Sequence, residues 1–103
     1  MKLVEELGLP ELNSEQIEEL CLIAEEAARK YVLSRIPQKK IETLDISAEI
    51  EGVKPTTLTV EVNIALSPSM KDFDVQKLAD EAVKKAFASA ENYLGKLTCH
   101  SQK

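Results

Sequence analysis

The chain of 103 residues has no tryptophan, one histidine, two cysteines and three glycines. Each scarcity removes a class of function. With His100 as the only histidine, no Ser-His-Asp or Cys-His arrangement can form away from the last few residues. Three glycines, without GxxxxGK[ST] or GxGxxG, leave no loop suited to cradle phosphates. Cys21 lies in an apolar helical stripe and Cys99 in a polar stretch, so the two make no disulfide framework. Cys99 and His100 together supply only two of the four ligands that a structural zinc takes. Only Tyr31, Phe73, Phe87 and Tyr93 are aromatic, and they sit in or beside helical patterns, so no base-stacking platform is expected. No apolar run approaches the roughly 20 residues of a membrane span. Positive charge is short as well: 13 Lys and Arg face 18 Asp and Glu, for a net charge of −5. That balance argues against direct nucleic-acid binding, which needs a basic surface. The start, Met1-Lys2-Leu3-Val4-Glu5-Glu6, turns acidic before a signal-peptide apolar region could develop, so a cytoplasmic location is expected.

What is present is periodicity. Residues 1–12 read as an amphipathic lead-in that closes on the turn chemistry of Gly8-Leu9-Pro10. A helix is predicted over 13–35. Asn13 and Gln16 are placed for a capping box, and Ile17, Leu20, Cys21, Ala24, Ala27, Ala28 and Tyr31 recur at helical spacing. Pro37 pushes Ile36 toward an extended conformation and stops it.

Residues 41–67 then switch to period two. Leu44, Ile46, Ala48 and Ile50 alternate with polar residues, and so do Leu58, Val60, Val62, Ile64 and Leu66. Two such runs joined by Gly52-Val53-Lys54-Pro55 predict a β-hairpin with one apolar face. Ser67-Pro68 ends the second strand, and Asp74 is placed to cap a helix over 74–97. Its stripe runs from Val75 through Leu78, Ala82, Ala86, Ala90 and Leu94 to Leu97. Residues 98–103 carry no apolar pattern and are expected to be a disordered tail. The expected fold is therefore one α+β domain of order helix–strand–strand–helix. Both long helices cover one face of the hairpin, and the sheet is extended by dimerisation, because a two-stranded sheet leaves both edges open.

Carboxylates are plentiful but fall mostly into helical ion-pair spacing, such as Glu25/Arg29, Glu26/Lys30, Asp80/Lys84 and Glu81/Lys85. No catalytic pair stands out from them, and no catalytic, cofactor or metal residue is assigned; the protein is expected not to be an enzyme. The cluster Arg29, Lys30, Arg35, Lys39 and Lys40 reads as a helix C-terminus and solvated loop. The stretch Leu66–Asp74, LSPSMKDFD, is accounted for by turn and cap chemistry rather than by a catalytic loop. The candidate interaction surface is the polar face of the hairpin: Asp45, Ser47, Glu49, Thr57, Thr59, Glu61 and Asn63. Simple solvation and partner binding both account for it. An alternative is a small enzyme or ligand-binding protein whose site forms at a dimer interface, from carboxylates and the Ser67–Asp72 joint.

The run LCLIAEEAARKYVLSRIPQKKIETLDISAEIE, followed by LTVEVNIALSPSMKDFDVQKLADEAVKKAF, resembles a small archaeal family of unknown function. The resemblance covers residues 12–97 and is most specific over Leu66–Asp74. The strand–strand–helix half is similar, more distantly, to the Pcc-type dimerising subunits of KEOPS, the complex that installs threonylcarbamoyl adenosine on tRNA. That similarity implies a non-catalytic scaffolding subunit with no cofactor. Its partner would be a second copy of itself or a Pcc-type subunit, without direct contact to nucleic acid or membrane. Pcc-type subunits open with a strand, which residues 1–12 do not suggest.

Overall fold

A computed structural model describes residues 2–51 and 56–101, with side chains described as far as Leu97. The expected hairpin is present. Strand β2 spans Ile41–Glu51 and strand β3 spans Thr56–Leu66, paired antiparallel with Leu44 opposite Ile64, Ile46 opposite Val62 and Ala48 opposite Val60. A register irregularity between Ile41 and Thr43 keeps Ile41 on the apolar side, opposite Leu66. The Gly-Pro turn expected at 52–55 lies outside the described residues.

The lead-in is the main correction. Lys2–Leu9 is not a turn-terminated approach but strand β1, paired antiparallel with β3, and the sheet has three strands in the order β1-β3-β2. Period two was hidden because charge sits on the wrong side. Leu3, Glu5, Leu7 and Leu9 share the apolar face, opposite Val62, Val60, Leu58 and Thr56, while Val4 points to the polar face. Leu3, Leu7 and Leu9 pack against the core even so, and the backbone groups of β1 that face β3 are paired on it. The element order is thus strand–helix–strand–strand–helix, still α+β. β3 becomes the central strand, and β1 and β2 are the two edges.

Helix α1, Ser14–Arg35, starts at the capping box as expected. Gln16 N donates to Asn13 Oδ1 at 2.8 Å, and Asn13 N donates to Gln16 Oε1 at 3.0 Å. It ends where Ile36 turns extended ahead of Pro37. Helix α2, Val75–Ser101, begins with Lys77 N donating to Asp74 Oδ1 at 3.0 Å. It runs past Leu97, so residues 98–101 continue the helix rather than forming a disordered tail; nothing between Leu97 and Ser101 breaks a helix, since that stretch has no Gly or Pro. Residues 102 and 103 lie outside the described ones.

Both helices lie on the apolar face, α1 over β2 and α2 over β3 and β1. They run antiparallel: Tyr93 Oη near the end of α2 donates to Glu19 Oε2 near the start of α1, at 3.1 Å. Small residues fill much of the buried side of both helices. Ala24 and Ala28 of α1, and Ala79, Ala82, Ala86 and Ala90 of α2, are fully buried. Leu20, Val32, Leu58, Val60, Val62 and Ile64 complete the densest part of the core, and no described polar side chain is buried.

Two outcomes test this account. Val62→Asp places a charge with no partner beneath both helices, at a cost of about 4 kcal/mol or more; urea titration by circular dichroism should find the variant largely unfolded. Asn13→Ala removes half of the capping box and should cost about 1 kcal/mol, seen as a fall in Tm of roughly 4–8 °C for a domain of this size.

Candidate interaction surface

Because both long helices sit on one side, the other face of the sheet is uncovered among the described residues. The parity of each strand decides which side chains stand on it. From β2 these are Thr43, Asp45, Ser47, Glu49 and Glu51, and from β3 they are Thr57, Thr59, Glu61, Asn63 and Ala65. All seven residues singled out from the sequence therefore share one face. Asp45 is opposite Asn63, Ser47 opposite Glu61, Glu49 opposite Thr59, and Glu51 opposite Thr57. The β3 members are half-buried between two strands, while Asp45, Ser47 and Glu49 on the edge are exposed.

β1 adds residues that the sequence pattern did not offer. Lys2, Val4, Glu6 and Gly8 extend the same cross-strand rows beyond Asn63, Glu61, Thr59 and Thr57. The signal existed only as the alternation Lys2-Val4-Glu6, too short and too mixed in polarity to mark a strand. Val4 is 48% exposed, a bare aliphatic group among polar neighbours. Lys2 Nζ reaches diagonally to Glu61 Oε1 at 2.8 Å. That hydrogen bond, with the Glu61 charge, holds the Lys2 ammonium above its ordinary pKa. Both groups are solvated, so the pair orients side chains more than it stabilises the fold.

The electrostatics are lopsided. Among the described residues, Glu6, Asp45, Glu49, Glu51 and Glu61 stand on this face with Lys2 as its cation. In the row Glu6–Thr59–Glu49 two carboxylates flank a hydroxyl with no cation between them. Such a face suits a basic partner surface. Among the described residues no group of three or more His, Cys, Asp or Glu side chains is arranged to hold a metal ion.

The other sequence features fall elsewhere. The Ser67–Asp72 joint lies at the far end of β3, where Ser67 Oγ is 2.7 Å from Ser69 Oγ and Lys40 Nζ donates to Ser69 Oγ at 3.1 Å. Ser67 N donates to Lys40 O at 2.8 Å, tying this turn to the start of β2. These bonds make it a strand-to-helix joint. Cys21 packs against the core beside β2; burial pushes its thiol pKa up, with the Glu25 and Glu49 carboxylates adding to the shift. Such a shift lowers the share of thiolate, the form that reacts.

Residues 9–93 match the model of a family described as a protein of unknown function, DUF3194. The chain belongs to the DUF3194 family. An uncharacterized protein of Thermococcus kodakarensis is 31% identical over 96 residues, which are 93% of this chain and 88% of that protein. One from Pyrococcus furiosus is 29% identical over 98 residues, 95% of this chain and 87% of the relative. A crystal structure from Thermococcus onnurineus superposes with a TM-score of 0.86 at 30% identity, covering 97% of this chain and 96% of that one. The solution structure of a hypothetical protein from Methanothermobacter thermautotrophicus gives 0.63 at 25% identity, over 87% and 97%. These relatives are archaeal, and the Thermococcus onnurineus structure shares the α+β arrangement described above. No helix among the described residues is long and apolar enough to cross a membrane.

The acidic row gives a direct test. Thr59→Lys sets a cation between Glu6 and Glu49, and each opposite-charge cross-strand pair contributes roughly 0.2–1 kcal/mol. Thermal melting should show this DUF3194 protein stabilised by several degrees at low salt, with the gain shrinking at high salt.

Proposed function

We propose that this DUF3194 protein is a non-enzymatic assembly subunit that works by adding a strand to its sheet edge. A Pcc-type subunit of the KEOPS tRNA-modification machinery is its first partner, and a second copy of itself the other. The observation that carries the reading is the open edge of β2. It spans Ile41–Glu51 without a Lys or Pro, residues that commonly guard such edges. β1 is the less receptive edge. It is shorter, at 8 residues against 11, and it sets Glu5 on the apolar side where a docking strand would meet it.

The flank beside β2 supports the same assignment. Leu22 and Leu33, 56% and 41% exposed, stand three turns apart on the outer side of α1. Leu33 lines a hollow of about 290 Å³ with Ile41 and Leu44 of the edge strand. A partner that continues the sheet would lay its own helix against this apolar strip, combining backbone pairing with side-chain burial. The KEOPS assignment rests on the resemblance of the strand–strand–helix half. The opening strand β1 removes the departure that residues 1–12 suggested from that family.

Co-expression with a Pcc-type subunit, followed by gel filtration with light scattering, tests the proposal. A shared species is expected, and separate elution of the two chains at low salt would overturn the KEOPS assignment. Leu33→Glu, at an exposed site, should abolish association with either partner while leaving the melting temperature within a few degrees.

A further inference from the structure

The net charge of −5 averages over a distribution that the fold separates. Residues 29–40 and 71–85 carry nine of the 13 Lys and Arg but only four of the 18 Asp and Glu, a local charge of +5. In the sequence these segments are more than 30 residues apart. In the molecule they meet, because the last turns of α1 lie against the first turns of α2.

Where they meet, the outer surfaces of the two helices form a groove in two connected parts that share Tyr31. One part, about 320 Å³, opens between Tyr31 and Arg35 on one side and Phe73 and Lys77 on the other. The next part, about 440 Å³, runs between Lys30 and Lys85 over Ala27. From Ala27 to Arg35 the groove follows about 12 Å of helix. The Arg35 guanidinium carbon lies 5.3 Å from the centroid of the Tyr31 ring, and Lys85 Nζ lies 5.9 Å from the same centroid. Two cations from different helices thus lie within about 6 Å of one aromatic ring. The ion pairs Glu26/Lys30 and Glu81/Lys85 expected from helical spacing do not form; Glu81 pairs with Lys84 instead, at 3.7 Å. Among the described residues, Lys30, Arg35, Lys77 and Lys85 have no carboxylate within ion-pair distance. Phe73 is 39% exposed at the mouth. Asp74 also lines this end, but its carboxylate is engaged in capping α2.

The geometry points to a binding site for a short single-stranded nucleic acid in this groove, with phosphates on Lys30, Arg35, Lys77 and Lys85 and bases against Tyr31 and Phe73. A cationic track with aromatic faces along it is the arrangement that holds single strands without reading their sequence. An acidic peptide would satisfy the cations but offers no planar group to the two rings. Lys39, Lys40 and Lys71 flank the same end of the molecule and suit a strand that continues past the groove. The remainder of the chain carries −10, which confines contact to this end. Aromatic residues and net charge, read from the sequence as arguments against nucleic acid, become compatible with it once the fold gathers them. The inference does not depend on the partner proposed for the β2 edge.

Fluorescence anisotropy with a labelled ten-nucleotide oligouridylate, an oligothymidylate of equal length and unlabelled polyglutamate as competitor tests it. Four phosphate contacts predict that log K falls against log salt with a slope of about −2.8. Lys77→Ala with Lys85→Ala should make that slope shallower by about 1.4. Phe73→Leu keeps the apolar side chain beside the helix start but removes the ring; it should weaken binding by roughly 5-fold or more while leaving the slope unchanged. Tighter binding of the uridylate than of the thymidylate assigns RNA as the ligand, and equal binding assigns a site for either. No binding at 50 mM salt would overturn the proposal. So would binding that ignores these substitutions while melting temperatures show the variants folded. Polyglutamate displacing the oligonucleotide at equal charge, with Phe73→Leu silent, would reassign the groove to an acidic protein segment.

Discussion

The central strand β3 does two jobs at once. Both of its edges are taken, by β1 on one side and β2 on the other, and its apolar face lies beneath the helices. Leu58, Val60, Val62 and Ile64 are fully buried there, so the backbone pairing and the hydrophobic contact depend on the same register. A slip of one residue would turn the whole apolar set toward water. The rest of the architecture follows from that strand. β1 gains a place in the sheet despite a poor pattern, the helices have a surface to cover, and the polar residues of three strands are brought into line on the far face.

That dependence explains what could be read from the sequence. The hairpin and both helices rest on local, repeating signals: strict alternation over Leu44–Ile50 and Leu58–Leu66, and helical spacing reinforced by caps at Asn13 and Asp74. β1 rests on a long-range one. Its eight residues pair with positions more than 45 places later in the chain, and Glu5 on the apolar side with Val4 on the polar side erases the alternation that would reveal it. The seven polar-face residues were legible because parity alone assigns them to one side. Lys2, Val4 and Glu6 were not, since their membership requires a partner strand that composition does not name. The basic groove was half legible: the cluster at 29–40 is contiguous, whereas Lys77, Lys85 and Phe73 join it only through the antiparallel packing of the helices.

Two surfaces of opposite sign result. The uncovered sheet is acidic, and the paired ends of the helices are basic, within a chain whose overall charge is modestly negative. The β2 edge lies between them, bordered by Leu22 and Leu33. A small protein with so little core can hold these features apart because its helices and sheet form only two layers, leaving each layer with one outward side.

The buried alanines have a mechanical consequence. Alanine has no rotamers to lose on burial, so packing Ala24, Ala28, Ala79, Ala82, Ala86 and Ala90 costs no side-chain entropy and leaves no alternative arrangement. The packing around them is then set by methyl groups that cannot shrink or swing aside. Added bulk at any of these six positions would have to be taken up by movement of a helix or of the strand beneath it.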